Sequence, residues 1–303
     1  MPAKTNRQVV IAGIPTDHLQ VWHYRMSEAV VPEPAEGQVL VRTLLLSMDP
    51  IRRSSITGKP GGLQIGDVMT SSGLAQIVKS RAAGFSEGQV VECFPGWQDY
   101  ALQKPDDLGT FDRLGPLTHH LSVYGVSGLT GYFGMAECGL PKAGETVLVS
   151  AAGGAVGHIA GQVAKLRGAR VVGIVSSPEK AAWLTGTLGY DAAIDRRAGP
   201  LGEALKQTCP EGVDLYFDNV AGEVLETVLT RMKNRGRIIC CGWAAQYDTQ
   251  TPEDGIKGLA YQMVYKRLRM EGYVVNDYYD RKAQARAELA AWVKSGAMKV
   301  SVD

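Results

Sequence analysis

Hydrophobic runs in the first part of the chain follow the pattern of short strands. Aliphatic and β-branched residues fill 39–46 (VLVRTLLL), 68–78 and 90–94, and glycines at positions 73, 84 and 88 interrupt or separate these runs. Short apolar runs bounded by turn residues are typical of β-strands, and strands at this spacing favour a partly open barrel over a helical bundle. We therefore predict a β-rich domain over residues 1–125.

The pattern changes after residue 120. From residue 145 onward, short apolar runs alternate with stretches whose apolar residues recur every three or four positions. The predicted strands are 147–150, 170–175, 191–194, 213–217 and 237–241, and the first two predicted helices are 155–167 and 178–188. This alternation predicts a parallel sheet covered by helices on both faces, within a second domain over residues 126–296.

Composition narrows the class of protein. A chain of 303 residues is long enough for two domains. With 32 basic and 31 acidic side chains, a net charge of +1 gives no support to nucleic acid or anionic membrane as the partner, so we expect a small-molecule ligand. The five cysteines are scattered without a C-x-x-C pair, and the amino terminus lacks a signal-peptide pattern. We therefore expect a cytoplasmic enzyme without disulfides.

The segment 150–157 (SAAGGAVG) lies between a predicted strand and a predicted helix. In the dinucleotide fingerprint, Ala152 takes the first glycine position, and Gly154 and Gly157 take the second and third. Gly154 lets the backbone approach a pyrophosphate, Gly157 lets the helix pack closely on the strand, and the helix amino terminus attracts the anion. The context predicts a Rossmann domain that binds a dinucleotide.

The residues after the second strand of this domain indicate which dinucleotide binds. Sites for NAD usually carry an acidic residue there, which holds the ribose 2′-hydroxyl. This chain has Ser176 and Ser177 instead, with Lys180 one helical turn further and Arg196 after the next strand. Hydroxyl groups and cations suit a 2′-phosphate, so we predict NADPH. The alternative is that these cations form a solvated face.

Several motifs together resemble a known family. They are AAGGAVG at 151–157, YFDNVAG at 216–222, GLTGYFG at 128–134 and LRMEGYVV at 268–275, with SMDP at 47–50 and GWQDY at 96–100. The chain resembles, over essentially its whole length, the zinc-free branch of the medium-chain dehydrogenase/reductase superfamily that holds prostaglandin reductase, leukotriene hydroxydehydrogenase and curcumin reductase. The resemblance implies a GroES-like β-barrel domain (1–125), a Rossmann domain (126–296), and a homodimer. Family members continue beyond the position that matches Asp303, so residues 297–303 are expected to start a return to the first domain.

The resemblance also implies roles for individual residues. Ser176 or Ser177 would face the 2′-phosphate together with Lys180. Arg196, where many relatives carry tyrosine, would stack on adenine and reach that phosphate. The other implied cofactor contacts are Gly154, Ala155, Val156 and Gly157 at the pyrophosphate, Asn219, the loop from Cys241 to Tyr247, and Tyr273, Val274 and Val275 beside the nicotinamide amide.

The expected chemistry is metal-free. The chain has only five histidines and lacks the cysteine and histidine set that holds zinc in other members of the superfamily, so we predict no metal site. Hydride transfer to the β-carbon of an enone or enal places negative charge on the carbonyl oxygen, which requires hydrogen-bond donors. The candidate donors are the 2′-hydroxyl of the nicotinamide ribose and a tyrosine hydroxyl. The tyrosine is either Tyr265, which matches a family tyrosine with this role, or Tyr247.

The leading hypothesis is therefore an NADPH-dependent reductase of carbon–carbon double bonds in α,β-unsaturated ketones and aldehydes. Two alternatives remain open. One is an NADPH:quinone oxidoreductase, because zinc-free relatives of that kind share the glycine-rich turn. The other is a protein that binds NADPH without turnover.

Overall fold

A computed structural model of the chain describes residues 5–248 and 255–302. The chain divides into two compact units. Unit 1 consists of residues 1–121 together with 247–251, and unit 2 consists of residues 122–246 together with 252–303. No helix in the described ranges is both long and apolar enough to cross a bilayer.

Unit 1 is built mainly from antiparallel strands. A four-stranded sheet has the order β5-β4-β3-β6, and a hairpin of β1 and β2 forms a second sheet. Its elements are β1 (Thr5–Ile11), β2 (Tyr24–Val30), β3 (Val39–Leu46), β4 (Gly73–Ser80), β5 (Val90–Cys93), β6 (Tyr100–Gln103), α1 (Leu117–Leu121) and the 3-10 helices Val21–His23, Pro50–Ser55 and Pro105–Asp107. The β-rich prediction is confirmed for this part of the chain.

Alternation along β3 and β4 explains the core of unit 1. Val39, Val41, Ala75 and Ile77 are fully buried in one cluster, which Val91 of β5 joins. Such burial fixes the strand register, because a shift by one residue would expose the whole apolar set. The predicted run at 68–78 is only partly a strand, since β4 begins at Gly73 and Val68 pairs with Val10 as an isolated bridge.

Unit 2 alternates strands and helices. Its strands are β7 (Thr146–Val149), β8 (Arg170–Val175), β9 (Ala192–Asp195), β10 (Val213–Asp218), β11 (Met232–Cys240) and β12 (Arg269–Gly272). Its α-helices are α2 (Val126–Phe133), α3 (Gly157–Leu166), α4 (Pro178–Gly186), α5 (Leu201–Thr208), α6 (Gly222–Leu229), α7 (Leu259–Lys266) and α8 (Lys282–Ser295). A π-helix spans Gly134–Gly139, and 3-10 helices span Ala244–Gln246 and Val275–Arg281.

The six strands of unit 2 form one parallel sheet in the order β12-β11-β10-β7-β8-β9. Every residue of β7 is buried, as expected for a strand covered by helices on both faces. The strand order reverses direction between β7 and β10, and ligands of such sheets bind at the carboxyl ends of the strands beside this switch point. The prediction of a Rossmann-type doubly wound sheet is confirmed.

Some boundaries differ from those predicted. The helix expected from residue 155 begins at Gly157, because the preceding residues form the glycine-rich turn, and β11 begins at Met232 rather than at residue 237. Near the carboxyl terminus, Lys299 exchanges two hydrogen bonds with Gln162 of α3, of 2.7 and 3.0 Å. The predicted return of residues 297–303 to the first domain stays a prediction.

Candidate functional site

A pocket of about 390 Å³ lies in unit 2 at the carboxyl ends of β7, β8 and β10. Its floor comes from the glycine-rich turn, where Ser150, Ala151, Gly153 and Gly154 line it. The turn is tied to the neighbouring strand, because the Ala152 N–H donates to the Ile174 carbonyl at 3.0 Å. The pocket therefore sits at the position that the strand order indicates for a ligand.

Two glycines allow the close packing that shapes this floor. A Cβ atom on Gly157 would lie 2.4 Å from the Ala151 carbonyl oxygen and 2.8 Å from the Ala152 Cα, so no larger residue fits without a shift of backbone. A Cβ atom on Gly153 would lie 3.2 Å from Cδ of Lys180. The aliphatic stem of Lys180 thus runs along the turn.

The polar end of the pocket lies beyond β8. Ser176, Lys180 and Arg196 all line the pocket, so the structure brings together three of the residues that the sequence places in the cofactor site. Ser177 is not among the residues that line the pocket. Its hydroxyl oxygen caps α4 by accepting from the Lys180 N–H at 3.3 Å. Ser177 holds the start of the helix that carries Lys180.

A buried carboxylate organises the strand ends around the pocket. Oδ1 of Asp218, which is 1% exposed, accepts hydrogen bonds from the Tyr216 hydroxyl at 2.8 Å and the Ser150 hydroxyl at 3.1 Å. It also accepts from the backbone N–H groups of Val220 at 2.9 Å and Ala221 at 3.0 Å. A buried carboxylate is costly unless such bonds replace its lost hydration. Asp218 therefore fixes the turn after β10 against the end of β7.

Two non-glycine residues of the pocket have left-handed backbone conformations. Ala151 has φ of 45°, and Ala221 has φ of 62° with ψ of −155°. The conformation of Ala221 is essentially restricted to glycine elsewhere, and such strain costs on the order of 1–3 kcal/mol per residue. Backbone strain of this kind concentrates at functional sites, where the surrounding structure holds it in place.

Sequence reasoning missed part of the pocket wall. Ala244 and Ala245 line it from the predicted loop 241–247, but four further lining residues were not predicted. They are Val220 and Ala221, just before α6, and Glu223 and Val224, in its first turn. Because these residues come from segments distant in sequence, only the strand order reveals that they face the turn. Glu223 is the one carboxylate among the described residues that line the pocket.

Other predicted cofactor residues lie next to the pocket rather than on its wall. The Asn219 side chain donates to the Ser150 carbonyl at 2.7 Å, and its N–H donates to the Ser150 hydroxyl at 2.9 Å. The Cys241 N–H donates to the Asp218 carbonyl at 2.8 Å. Ala155 and Val156 continue the turn into α3. These contacts align the ends of β7, β10 and β11 with one another.

The segment 273–275 and Cys241 supply neutral groups. The Tyr273 hydroxyl donates to the Thr130 carbonyl at 2.6 Å and lies 3.5 Å from Sγ of Cys241. Burial raises the pKa of the Cys241 thiol to about 12 and the pKa of Tyr273 well above its ordinary value. Val275 is buried and Val274 is exposed. Both Tyr273 and Cys241 therefore stay uncharged at neutral pH.

The two candidate tyrosines do not line this pocket. Tyr265 is 65% exposed on α7 and stacks on Tyr261 with ring centroids 5.4 Å apart. Tyr247 belongs to the short segment of unit 1 that follows Gln246. Within residues 5–248 and 255–302, no group of three or more His, Cys, Asp or Glu side chains is placed to hold a metal ion.

The strain at Ala221 leads to a prediction about stability. We expect Ala221→Gly to raise the free energy of unfolding by about 1 kcal/mol, because relief of the strained φ exceeds the extra backbone entropy of glycine in the unfolded chain. Ala182→Gly, at an exposed position inside α4, is the control and should lower it by about 1 kcal/mol. Urea unfolding of both variants measures the difference, and a loss of stability in Ala221→Gly equal to that in the control contradicts the strain.

Comparison with known proteins places the chain in a family. Residues 7–110 match the family described as N-terminal domain of oxidoreductase, and residues 155–294 match the family described as zinc-binding dehydrogenase. The NADPH-dependent curcumin reductase of Escherichia coli (strain K12) is 36% identical over 297 residues, which cover 95% of this chain and 86% of that protein. Prostaglandin reductase 1 of Mus musculus is 40% identical over 293 residues, covering 94% and 85%.

A solved structure agrees with these relatives. The crystal structure of CurA in complex with NADPH from Vibrio vulnificus superposes with a TM-score of 0.90 at 33% identity, covering 97% of this chain and 90% of that one. Sequence and fold thus give the same assignment over nearly the whole chain. The protein belongs to the medium-chain dehydrogenase/reductase superfamily, in the branch that contains the prostaglandin and curcumin reductases.

Proposed function

We propose that this protein uses NADPH to reduce the carbon–carbon double bond of α,β-unsaturated ketones and aldehydes. The observation that carries the proposal is the pocket of unit 2, which combines a glycine-rich turn with Ser176, Lys180 and Arg196. The substrate class is supported by the relatives, which are named as reductases of curcumin and prostaglandins. Curcumin itself carries carbon–carbon double bonds conjugated to carbonyl groups.

The residues of the pocket fit a dinucleotide with a 2′-phosphate. Gly153 and Gly154 place no side chain on their part of the floor, so the backbone can approach a pyrophosphate there. The N–H groups of Ala155 and Val156, just before α3, and of Gly157, its first residue, would bind the same group. Lys180, Arg196 and the Ser176 hydroxyl provide donors for the 2′-phosphate. NADPH supplies the hydride when bound.

The chain also has to stabilise the charge that develops on the substrate. As the β-carbon of the enone accepts a hydride, the carbonyl oxygen becomes an enolate oxygen, and a hydroxyl donor placed beside it lowers the barrier. We propose Tyr265 for this role, by its match to the family tyrosine, with Tyr247 as the alternative. Asn219, Cys241 and the 273–275 segment would support the nicotinamide half through the contacts described above.

The compartment and the assembly are also proposals. All five cysteines are free thiols, which supports a reducing compartment such as the cytoplasm. A homodimer is supported by the exposed edge strand β12 and by the exposed Tyr261, Val264 and Tyr265 on α7.

The reaction is tested by incubating the purified protein with NADPH and, in parallel, an aliphatic enone, an enal and a naphthoquinone. We expect NADPH oxidation with the enone and the enal, measured by the fall in the absorbance of reduced nicotinamide. Mass spectrometry should show the saturated ketone from the enone and the saturated aldehyde from the enal. Oxidation with the quinone alone would assign the quinone oxidoreductase activity instead. NADPH binding without oxidation by any of the three would assign a protein without turnover.

Coenzyme selection depends on the cations of the pocket. We expect Arg196→Ala to raise the KM for NADPH about tenfold and to leave the KM for NADH nearly unchanged, because only NADPH presents a phosphate to the guanidinium. Arg197→Ala is the matched control, since Arg197 is exposed and does not line the pocket, and its effect should stay within about twofold. Equal effects of the two substitutions on NADPH would contradict a specific role of Arg196.

The tyrosine assignment has its own test. We expect Tyr265→Phe to lower kcat for an enone about a hundredfold with little change in KM, because the hydroxyl acts on charge that develops after substrate binds. Tyr261→Phe is the control, because it removes a hydroxyl from the neighbouring ring and keeps the ring stacked on Tyr265. This variant should keep kcat within about twofold. If only Tyr247→Phe lowers kcat, the role belongs to Tyr247. If kcat is normal in both Tyr265→Phe and Tyr247→Phe, neither of these tyrosines is the donor.

A further inference from the structure

The carboxylate of Glu223 has no role in the function proposed above. It lies in the first turn of α6 and lines the same pocket as Lys180 and Arg196. Within residues 5–248 and 255–302, no ion pair or hydrogen bond engages this carboxylate, whereas the carbonyl oxygen of Glu223 accepts from the Thr227 hydroxyl at 2.9 Å. Glu223 is an exposed residue that lines the pocket, and its open acceptor sites are available to a donor from the ligand.

We infer that Glu223 recognises the 6-amino group of the coenzyme's adenine ring. The inference rests on the proposed function, because it concerns NADPH in the pocket of unit 2. It makes Glu223 a determinant of base specificity, separate from the residues that select the 2′-phosphate.

The distribution of charge in the pocket supports this assignment. The phosphate-binding groups are the glycine-rich turn and the cluster of Ser176, Lys180 and Arg196, which come from β7, β8 and β9 and the residues that follow them. Glu223 follows β10, which lies on the other side of β7 from β8 and β9 in the sheet. A carboxylate would repel either phosphate at short range, so the part of the ligand that faces Glu223 has to be neutral or a hydrogen-bond donor.

The neighbours of Glu223 indicate a flat apolar group. Val220 and Val224 flank it along the chain, and Ala244 and Ala245 line the pocket from the following loop. These small apolar side chains suit one face of a purine ring, which leaves its other face for the guanidinium of Arg196. The adenosine half of NADPH has two kinds of neutral hydrogen-bond donor, the 3′-hydroxyl of the ribose and the 6-amino group of the base. Only the amino group lies on the ring that such a wall would contact.

The test compares NADPH with its hypoxanthine analogue, reduced nicotinamide hypoxanthine dinucleotide phosphate. The analogue replaces the 6-amino donor by a carbonyl acceptor and carries an N–H donor at N1, so a carboxylate placed on the 6-amino group meets a carbonyl oxygen, which it repels, and would have to shift to reach the donor. We expect the wild-type protein to bind NADPH about fivefold to tenfold more tightly than the analogue, with dissociation constants measured by isothermal titration calorimetry. This measurement does not require turnover.

Glu223→Gln is the decisive variant, because a carboxamide of the same shape can accept from an amino group or, after rotation, donate to a carbonyl. We expect the ratio of the two dissociation constants to fall to about one in this variant. Glu226→Gln removes the same charge one turn further along α6, and its carboxamide oxygen can still accept from the Lys257 N–H as Glu226 does at 3.0 Å. This control should keep the wild-type ratio.

Each other outcome overturns the inference in a recognisable way. An unchanged ratio in Glu223→Gln with both nucleotides bound more weakly assigns Glu223 to the ribose hydroxyl. An unchanged ratio with both bound more tightly places it beside a phosphate. An unchanged ratio with unchanged affinities and only a shift in melting temperature leaves Glu223 as a stabilising charge at the start of α6. If the wild-type protein binds neither nucleotide, the proposed function itself fails.

Discussion

The carboxylate of Asp218 connects the strand ends on which the pocket depends. It is buried at the end of β10, where its Oδ1 atom receives hydrogen bonds from Ser150 and Tyr216 and from the backbone of the next turn. The carbonyl of the same residue receives the N–H groups of Cys241 and Gly242 at the end of β11. The donors to Oδ1 compensate the desolvated carboxylate, and the two donors to the carbonyl attach the end of β11, so the three strand ends are held in one arrangement. The strained backbone of Ala221 persists inside this network.

Small residues are the second requirement of the site. Gly157 permits contact between α3 and the turn, and Gly153 leaves room for the stem of Lys180. Ala151, Ala221, Ala244 and Ala245 keep the walls open where larger side chains would fill the pocket. Most of the remaining lining residues are small or aliphatic, so a few polar side chains have to provide specific recognition of the ligand, as is usual for cofactor sites. Lys180 and Arg196 follow β8 and β9, whereas Glu223 follows β10 on the other side of β7.

Part of the site was accessible to sequence reasoning because it is local. The turn at 150–157, the serine in place of an acid at 176, Lys180 and Arg196 follow one another along three consecutive strands and their two helices, from β7 to β9. The geometry of this part is nearly constant among Rossmann domains. Ser177 shows the limit of this reasoning. Its hydroxyl oxygen accepts from the Lys180 N–H at the start of α4, a contact that follows from backbone geometry and not from the pattern of residue types. The hydroxyl hydrogen is still available, so a phosphate contact of Ser177 stays a prediction.

The sequence by itself determined that one unit is β-rich and the other α/β, and in what succession strands and helices follow along the chain. It also determined the phosphate-binding turn and the family. All of these follow from hydrophobic periodicity and from motifs of neighbouring residues. Only the tertiary structure decided which distant segments meet. It placed Glu223 and Val224 in the pocket wall that follows β10, and it showed Asp218 joining three strand ends. The physical reason is that the order of strands in a sheet results from packing and crossover connections across the whole domain, which no short stretch of sequence encodes.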